Sequence, residues 1–246
     1  MIKDAWIVFL MGVFAYAYHR AIKSDRCTSQ DVELVVSYCR HAPTWIHNEA
    51  LRWLPRSTRV TVYSKCDKVF PGSIPIPNVG LEAHTFLFHI VTRYDSLADI
   101  TIFTMDSANV SGLKHRYLKD LLANWCSTKG FYCARCPLSI THYMSGTTLA
   151  QFSKEQNMGS TMRHGVDSAA LTKARIRPFG AWFARYIGGQ FPRAYCAFVA
   201  MAVSRDVIRR RSLEFYTELL DQTMDGKNVE VAHYLERAWG AIFGHP

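Results

Sequence analysis

The sequence predicts one α/β domain with a mostly parallel sheet, and two patterns lead to that fold class. Residues 32–39 (VELVVSYC), 59–64 (RVTVYS) and 99–104 (DITIFT) are short runs rich in β-branched and aromatic residues, the composition of buried strands. Residues 78–94 carry apolar side chains at helical spacing between the second and third runs. Strand, helix and strand in this order are typical of a right-handed parallel crossover.

The remaining elements follow from the same patterns. The loop 65–78 contains three prolines, which forbid regular pairing and favour an extended chain up to a helix capped by Asn78. Residues 145–175 are polar and interrupted by glycine, so they predict a long loop or lid of the kind that often has a function. We further expect a central strand over residues 195–204 and helices over residues 113–125, 179–187, 206–221 and 228–243.

Length and charge limit the kind of protein. With 246 residues, of which 49% are hydrophobic, the chain can bury one substantial core and is too short for two enzymatic domains of ordinary size. The net charge is +9, and residues 161–213 hold ten Lys or Arg against two Asp. Such a field favours phosphate-bearing ligands or anionic lipid, and solvated helix faces would also explain it. No motif that reads nucleic acid accompanies the charge, so nucleic acid is not an expected partner.

The amino-terminal segment, residues 1–26, differs in composition from the domain over residues 27–246. Its apolar run, residues 5–18, is flanked by cations and predicts a hydrophobic helix that attaches the protein to a membrane. Three interpretations remain open: an uncleaved single-pass anchor, a signal peptide cleaved near Ala15-Tyr16-Ala17, and a buried helix. The cations that follow the run would keep the domain cytoplasmic by the positive-inside rule, so the orientation is open as well.

Seven cysteines are an odd number without the spacing of a small disulfide scaffold. Cys133 and Cys136 form a C-x-x-C pair, which fits half of a zinc site, a redox pair, a disulfide within the pair or with Cys126, or ordinary thiols. Asn109-Val110-Ser111 is a formal glycosylation acceptor. These features leave the disulfide pairing undetermined.

Polar residues follow three of the predicted parallel strands. Arg40, Lys65 and Asp106 stand just after them, and ligands of open parallel sheets bind outside these carboxyl ends. Asp106 is therefore a candidate ligand for Mn²⁺ or Mg²⁺ bridging a diphosphate, although only one carboxylate is present and a turn residue would look the same.

The start of the helix after the proline-containing loop is a second candidate. Asn78, Gly80, Glu82 and His84 place a polar cap, a small residue and an acid where backbone amides suit a phosphate or a sugar hydroxyl. A simply capped helix with a well-placed acid explains the same residues. His84, like His89, is more often a packed residue than a catalytic one.

Two carboxyl-terminal segments complete the candidate site. Glu230, His233 and Arg237 share a helix face with Glu236 beside them, and this cluster offers general bases for an acceptor hydroxyl, unless it is an ion-paired surface helix. Ser204 and Arg205 close the predicted central strand, so that Arg205 would lie near a bound diphosphate. A solvated or lipid-facing helix is the alternative for the arginines that follow.

Together these motifs resemble those of domain-of-unknown-function family 3431, whose members look like distant relatives of GT-A glycosyltransferases. The resemblance spans residues 33–244. It rests on the following motifs: Pro77-Asn78-Val79-Gly80, Glu82-Ala83-His84-Thr85, His89-Ile90-Val91, Tyr94-Asp95, Leu97-Ala98-Asp99, Arg177-Pro178, Trp182, Tyr186-Ile187-Gly188-Gly189, Ala202-Val203-Ser204-Arg205, His233-Tyr234-Leu235-Glu236-Arg237, Trp239 and Ile242-Phe243-Gly244.

The resemblance implies a Rossmann-like, GT-A-like domain in the secretory pathway or Golgi lumen. It implies a membrane-anchored hexosyl- or pentosyltransferase that moves a sugar from a nucleotide-sugar donor to a glycan or glycoconjugate. Asn78, Gly80 and His84, with Arg40, Lys65, Ser204 and Arg205, are the expected donor-side residues, and Glu236, Glu82 and His233 the expected catalytic ones. Leu81 replaces an arginine of the family pattern and Met105-Asp106 a Gln-Gly pair, which also allows an inactive glycan-binding or scaffolding protein of the same fold.

Overall fold

A six-stranded sheet forms the centre of the computed structural model, which describes residues 30–67, 69–126, 130–137, 148–154, 171–192 and 194–244. The strands are β1 (Val32–Tyr38), β2 (Arg59–Ser64), β3 (Ile74–Pro75), β4 (Ile100–Met105), β5 (Phe131–Pro137) and β6 (Ala194–Ser204). Their order is β3-β2-β1-β4-β6-β5. Strands β1 to β4 are parallel, whereas β6 runs antiparallel to both of its neighbours. The predicted α/β class with a mostly parallel sheet is confirmed.

Helices cover both faces of the sheet. In chain order they are α1 (Leu51–Trp53, continuing a π-helical turn at Ile46–Ala50), α2 (Leu81–Arg93), α3 (Gly112–Asn124), α4 (Phe179–Tyr186), α5 (Arg205–Ile208), α6 (Leu213–Asp221) and α7 (Glu230–Phe243). Val35 belongs to the core beneath α2, α4, α6 and α7, whereas Leu34 and Val36 belong to the core beneath α1 and α3. Side chains alternate along a strand, so β1 is apolar towards both layers.

Four details differ from the sequence prediction. Pro75 was expected to prevent pairing, but as an edge residue it joins β2 through the short β3. Strand β5 was not predicted, and the expected helix over residues 206–221 is two helices, with Ser212 capping the second. Gly80, rather than Asn78, is the residue that precedes the first turn of α2.

Disulfide bonds join neighbouring elements of the sheet. Cys39 is bonded to Cys66, and Cys133 to Cys196, while Cys126 is disulfide-bonded as well. Cys133 therefore pairs with neither of the two partners considered from the sequence, because β6 lies beside β5 and brings Cys196 next to it.

Two predicted segments fall largely or wholly outside the described residues. The apolar run 5–18 lies outside them, and of the loop 145–175 they include residues 148–154 and 171–175, with a 3-10 turn at Leu149–Gln151. Within the described ranges, no helix combines the length and apolarity needed to cross a membrane.

Candidate functional site

The carboxyl ends of β1, β2 and β4, together with the start of α2, form the edge of the sheet that we call the rim. From β1 the chain winds through β2 and β3 on one side, and then returns to β4 on the other side of β1. The order of the strands thus reverses between β1 and β4, which is where open sheets of this kind bind their ligands. Arg40, Lys65 and Asp106 stand at the three strand ends, as predicted.

Asp106 organises the loop after β1. Its buried Oδ2 accepts hydrogen bonds from the backbone N–H groups of Cys39, Arg40 and His41 at 2.9, 2.8 and 2.9 Å. The Arg40 side chain is exposed on this anchored loop. Because Oδ2 is already used three times, and because the described residues contain no group of three His, Cys, Asp or Glu suited to a metal ion, the surroundings of Asp106 do not fit a divalent-ion site.

The entrance to α2 has an unusual backbone. Gly80 and Leu81 both adopt left-handed conformations, with φ of 60° and 50°, and such a φ is costly for a leucine. The Gly80 N–H donates to the carbonyl of Gly226 at 2.8 Å, and a Cβ at Gly80 would lie 2.5 Å from the Cβ of Thr223. The turn before α7 therefore holds this entrance in place.

Lys65 fixes the same backbone from inside the protein. Its ammonium group donates to the carbonyls of Val79 and Leu81. Burial lowers the pKa of Lys65 to about 7, an effect that the nearby negative charge of Glu82 opposes. Asn78 lies on the preceding loop, where its Nδ2 contacts the Sγ of Cys66 at 3.3 Å.

His84 lies one turn into α2 and is 1% exposed. Its ring stacks on Phe88, and its Nδ1 has no hydrogen-bond partner within the described residues. Burial, together with the positive charge of Lys65, lowers the pKa of His84 to about 4. The imidazole is consequently neutral at physiological pH.

Two carboxylates come together at the rim. Glu82, in the first turn of α2, and Glu236, on α7, are both only partly exposed. The pKa of Glu82 is raised, first by burial and then by the negative charge of Glu236, against the lowering effects of its own backbone N–H and of Lys65 and Lys114. A carboxyl whose pKa is raised by burial and a second carboxylate is the usual arrangement of a proton-transferring pair.

Lys114 is the residue of this cluster that the sequence did not single out. Its Nζ donates to the Oγ of Ser107 at 3.1 Å and lies 3.8 Å from the Sδ of Met105. It therefore reaches from α3, on the opposite face, over the end of β4. The sequence could have indicated Lys114, because it lies in the first turn of α3, the helix that follows the rim strand β4.

His233 lies on α7 and is 9% exposed. Its Nε2 is 3.0 Å from the Oδ1 of Asn228. Burial, with the positive charges of Lys154 and Arg237, lowers the pKa of His233 to about 3. Neighbouring Glu230 is buried as well and accepts from the N–H groups of Lys154 and Ala174, so this end of α7 binds two loops rather than solvent.

Ser204 and Arg205 lie at the opposite, amino-terminal edge of the sheet. Because β6 is antiparallel to β4, its last residue pairs with Ile100, the first residue of β4. Arg205 is bonded to the Oδ1 of Asp99 at 2.6 Å and to the carbonyl of Leu97, and the Ser204 hydroxyl caps α5. The structure thus separates these two residues from the other predicted donor-side residues.

A cavity of about 220 Å³ is lined by residues of α6, of the turn before α7 and of the chain before α4. Its lining includes Lys173, Arg175, Tyr186, Glu218 and Asp225. None of the predicted site residues lines it.

Comparison with known proteins gives one match. The family model described as "Protein of unknown function (DUF3431)" matches residues 34–246. No curated protein and no solved structure matches the chain.

Proposed function

The chain belongs to the DUF3431 family, and with that as premise we propose that it is a GT-A-like glycosyltransferase that moves a sugar from a nucleotide-sugar donor to a hydroxyl of a glycan. The observation that carries this proposal is the pair of Glu82 and Glu236, set beside Lys65 and Lys114 at the edge where the strand order reverses. Partly exposed carboxylates next to cations suit a reaction that removes a proton and releases a nucleoside diphosphate.

The donor diphosphate is assigned to the positive side chains of the rim. Arg40 is exposed on the loop after β1, and Lys114 lies over the end of β4. The first turn of α2 adds backbone N–H groups, which favour an anion. No step is assigned to a metal ion, since the surroundings of Asp106 do not fit one.

Glu82 is assigned as the general base. It takes the proton of the acceptor hydroxyl as that oxygen forms its bond to the anomeric carbon of the donor sugar. The bond from that carbon to the diphosphate breaks, and the nucleoside diphosphate leaves with the electron pair, stabilised by the cations of the rim. The raised pKa of Glu82 brings its basicity closer to what a general base needs at neutral pH.

The disulfide bonds support a secretory location for the domain. Cys39–Cys66 and Cys133–Cys196 are bonds that persist in oxidising compartments. We place the domain in the lumen, with residues 5–18 as the membrane attachment. Asn109 is exposed, so a glycan found at Asn109 by mass spectrometry of the secreted or membrane-bound protein supports this orientation, and a free cytosolic thiol at Cys39 contradicts it.

Isothermal titration with a panel of nucleotide sugars, with and without Mn²⁺, tests the donor assignment. Heat with one donor, retained without Mn²⁺ and reduced in Arg40→Gln and Lys114→Gln, is the expected result. Lys119→Gln, which changes an exposed lysine further along α3, is the matched control.

A catalytically inactive glycan-binding protein of the same fold is the second candidate, because Leu81 stands where the family pattern has an arginine. It predicts no heat with any nucleotide sugar and measurable heat with oligosaccharides alone. That outcome would overturn the transferase proposal.

A further inference from the structure

Arg237 has contacts that set it apart from the exposed arginines of the chain. It is 8% exposed, and its guanidinium carbon lies 3.9 Å from the centre of the Phe152 ring. Its Nη1 donates to the carbonyl of His233 at 2.7 Å and to Oε2 of Glu236 at 3.0 Å. A desolvated cation held over an aromatic face is a favourable contact, and here it also fixes where the guanidinium points.

The bond from Arg237 to Glu236 is unexpected for two successive residues of a helix. Neighbouring side chains on a helix point about 100° apart and do not normally face each other. Arg237 therefore has to turn back along α7 to reach the carboxylate. The Phe152 ring and the His233 carbonyl are the contacts that hold it in that position.

Phe152 is itself anchored to α4 and to α7, the helix that carries Arg237. Its carbonyl accepts from the N–H of Phe179 at 3.0 Å, and its ring packs against Tyr234 at 6.1 Å. Two residues on, the Lys154 N–H donates to buried Glu230 at the start of α7. The short segment 148–154 is thus attached firmly enough to serve as a support for Arg237.

We propose that Arg237 is a positioning residue that holds the carboxylate of Glu236 in place at the rim, where its charge acts on Glu82. This inference rests on the proposed function, since it concerns the same carboxylate pair. Arg237 pairs with Glu236 directly, whereas the other charges that act on Glu82 are Lys65 and Lys114, which face it from β2 and α3. Removing Arg237 releases the carboxylate of Glu236 from this position, so that its effect on Glu82 weakens.

The test follows the carboxyl titration of Glu82 by NMR in the full chain labelled with ¹³C-glutamate, with Glu82→Gln used to assign the signal. Glu236→Gln is expected to move the midpoint of Glu82 to lower pH, and Arg237→Gln is expected to move it in the same direction. The double variant should equal Glu236→Gln alone, because Arg237 acts only through Glu236. Arg209→Gln, at the opposite edge of the sheet, should leave the midpoint unchanged.

A second variant keeps the test valid if Arg237→Gln does not fold. Phe152→Leu removes the ring and leaves Arg237 in place, so it should give a smaller shift in the same direction. A Glu82 midpoint that moves in Glu236→Gln but stays at the wild-type value in both Arg237→Gln and Phe152→Leu would overturn the positioning role. The titration needs no substrate, so its result does not depend on whether the protein transfers a sugar. If the shifts are as expected but no transfer activity is found, only the proposed function is contradicted.

Discussion

The two edges of the sheet carry similar residues and use them differently. At the amino-terminal edge, Arg205 is paired with Asp99, and the Ser204 hydroxyl caps a helix. At the rim, the charge of Glu236 acts on the carboxyl group of Glu82, and Leu81 keeps a left-handed backbone. Opposite charges that neutralise each other stabilise a fold, whereas like charges and local strain persist where the surroundings enforce them. The comparison is the reason why the proposed reaction is assigned to the rim.

The strongest test of this difference between the two edges is to remove one charge from each of them. Glu82→Gln should lower kcat by roughly 10²–10⁴-fold, the usual contribution of a general base. Arg205→Gln should leave kcat within about twofold and lower the melting temperature, because its partners are structural. Initial rates and thermal unfolding check both. A loss of turnover in Arg205→Gln with the rate retained in Glu82→Gln would reverse the assignment.

Removing a disulfide bond should have the next largest effect, which is a loss of stability. Cys39–Cys66 closes a separation of 27 residues next to the rim, and Cys133–Cys196 closes 63 residues within the sheet. Replacing either pair by serine should lower the free energy of unfolding by about 3–4 kcal/mol. Only the first replacement should weaken donor binding, which titration calorimetry of the two double variants will show. Equal weakening in both would mean that overall stability, not the geometry of the rim, controls binding.

Glycines provide a matched pair with smaller effects. Gly80 at the rim and Gly130 at the opposite edge have φ of 60° and 72°, and a Cβ on either would lie under 3 Å from another residue. We expect Gly80→Ala and Gly130→Ala each to cost about 1–3 kcal/mol of stability, measured by urea unfolding. Donor affinity should fall in Gly80→Ala and hold in Gly130→Ala. The opposite order of affinities would contradict the assignment of the rim.

Lowering the pH should produce the smallest of these effects on stability. Burial lowers the pKa of His84 at the rim and of His89 further along α2 to about 4, from 6.5. Because the folded protein binds protons less readily than the unfolded chain, stability is complete above pH 6.5 and falls as the pH drops towards 4. At pH 5.5 each histidine should cost on the order of 1 kcal/mol. Urea unfolding of His89→Phe at pH 7.5 and 5.5 should show a correspondingly smaller loss than the wild type.

The parallel part of the fold was predictable because it depends on local patterns. Strands β1 and β4 are buried along almost their whole length, and β2 is buried over its second half, which gives largely apolar runs that can be recognised without long-range information. Arg40, Lys65 and Asp106 follow the ends of β1, β2 and β4, and they lie at one edge because the carboxyl ends of parallel strands share it. The metal role of Asp106 had no comparable basis, since three backbone donors from a distant loop occupy its oxygen.

The direction of β6 could not be predicted from the sequence. An apolar run looks the same in both directions, so residues 194–204 gave no sign that Ser204 and Arg205 end at the far edge. The pairing of Cys133 with Cys196 was hidden for the same reason, because it depends on two strands lying side by side across 63 residues of sequence. The carboxylate pair needed α2 and α7 to pack together, which no local pattern specifies.

Asp106 has one further consequence for the loop that follows β1. Three consecutive amide hydrogens of the loop after β1 converge on one carboxylate oxygen, in the manner in which such loops surround a phosphate. The fold itself supplies this oxygen, so the loop is held in one shape by Asp106. In the proposed transferase, donor binding would therefore lose little entropy in ordering this loop, which carries the exposed Arg40.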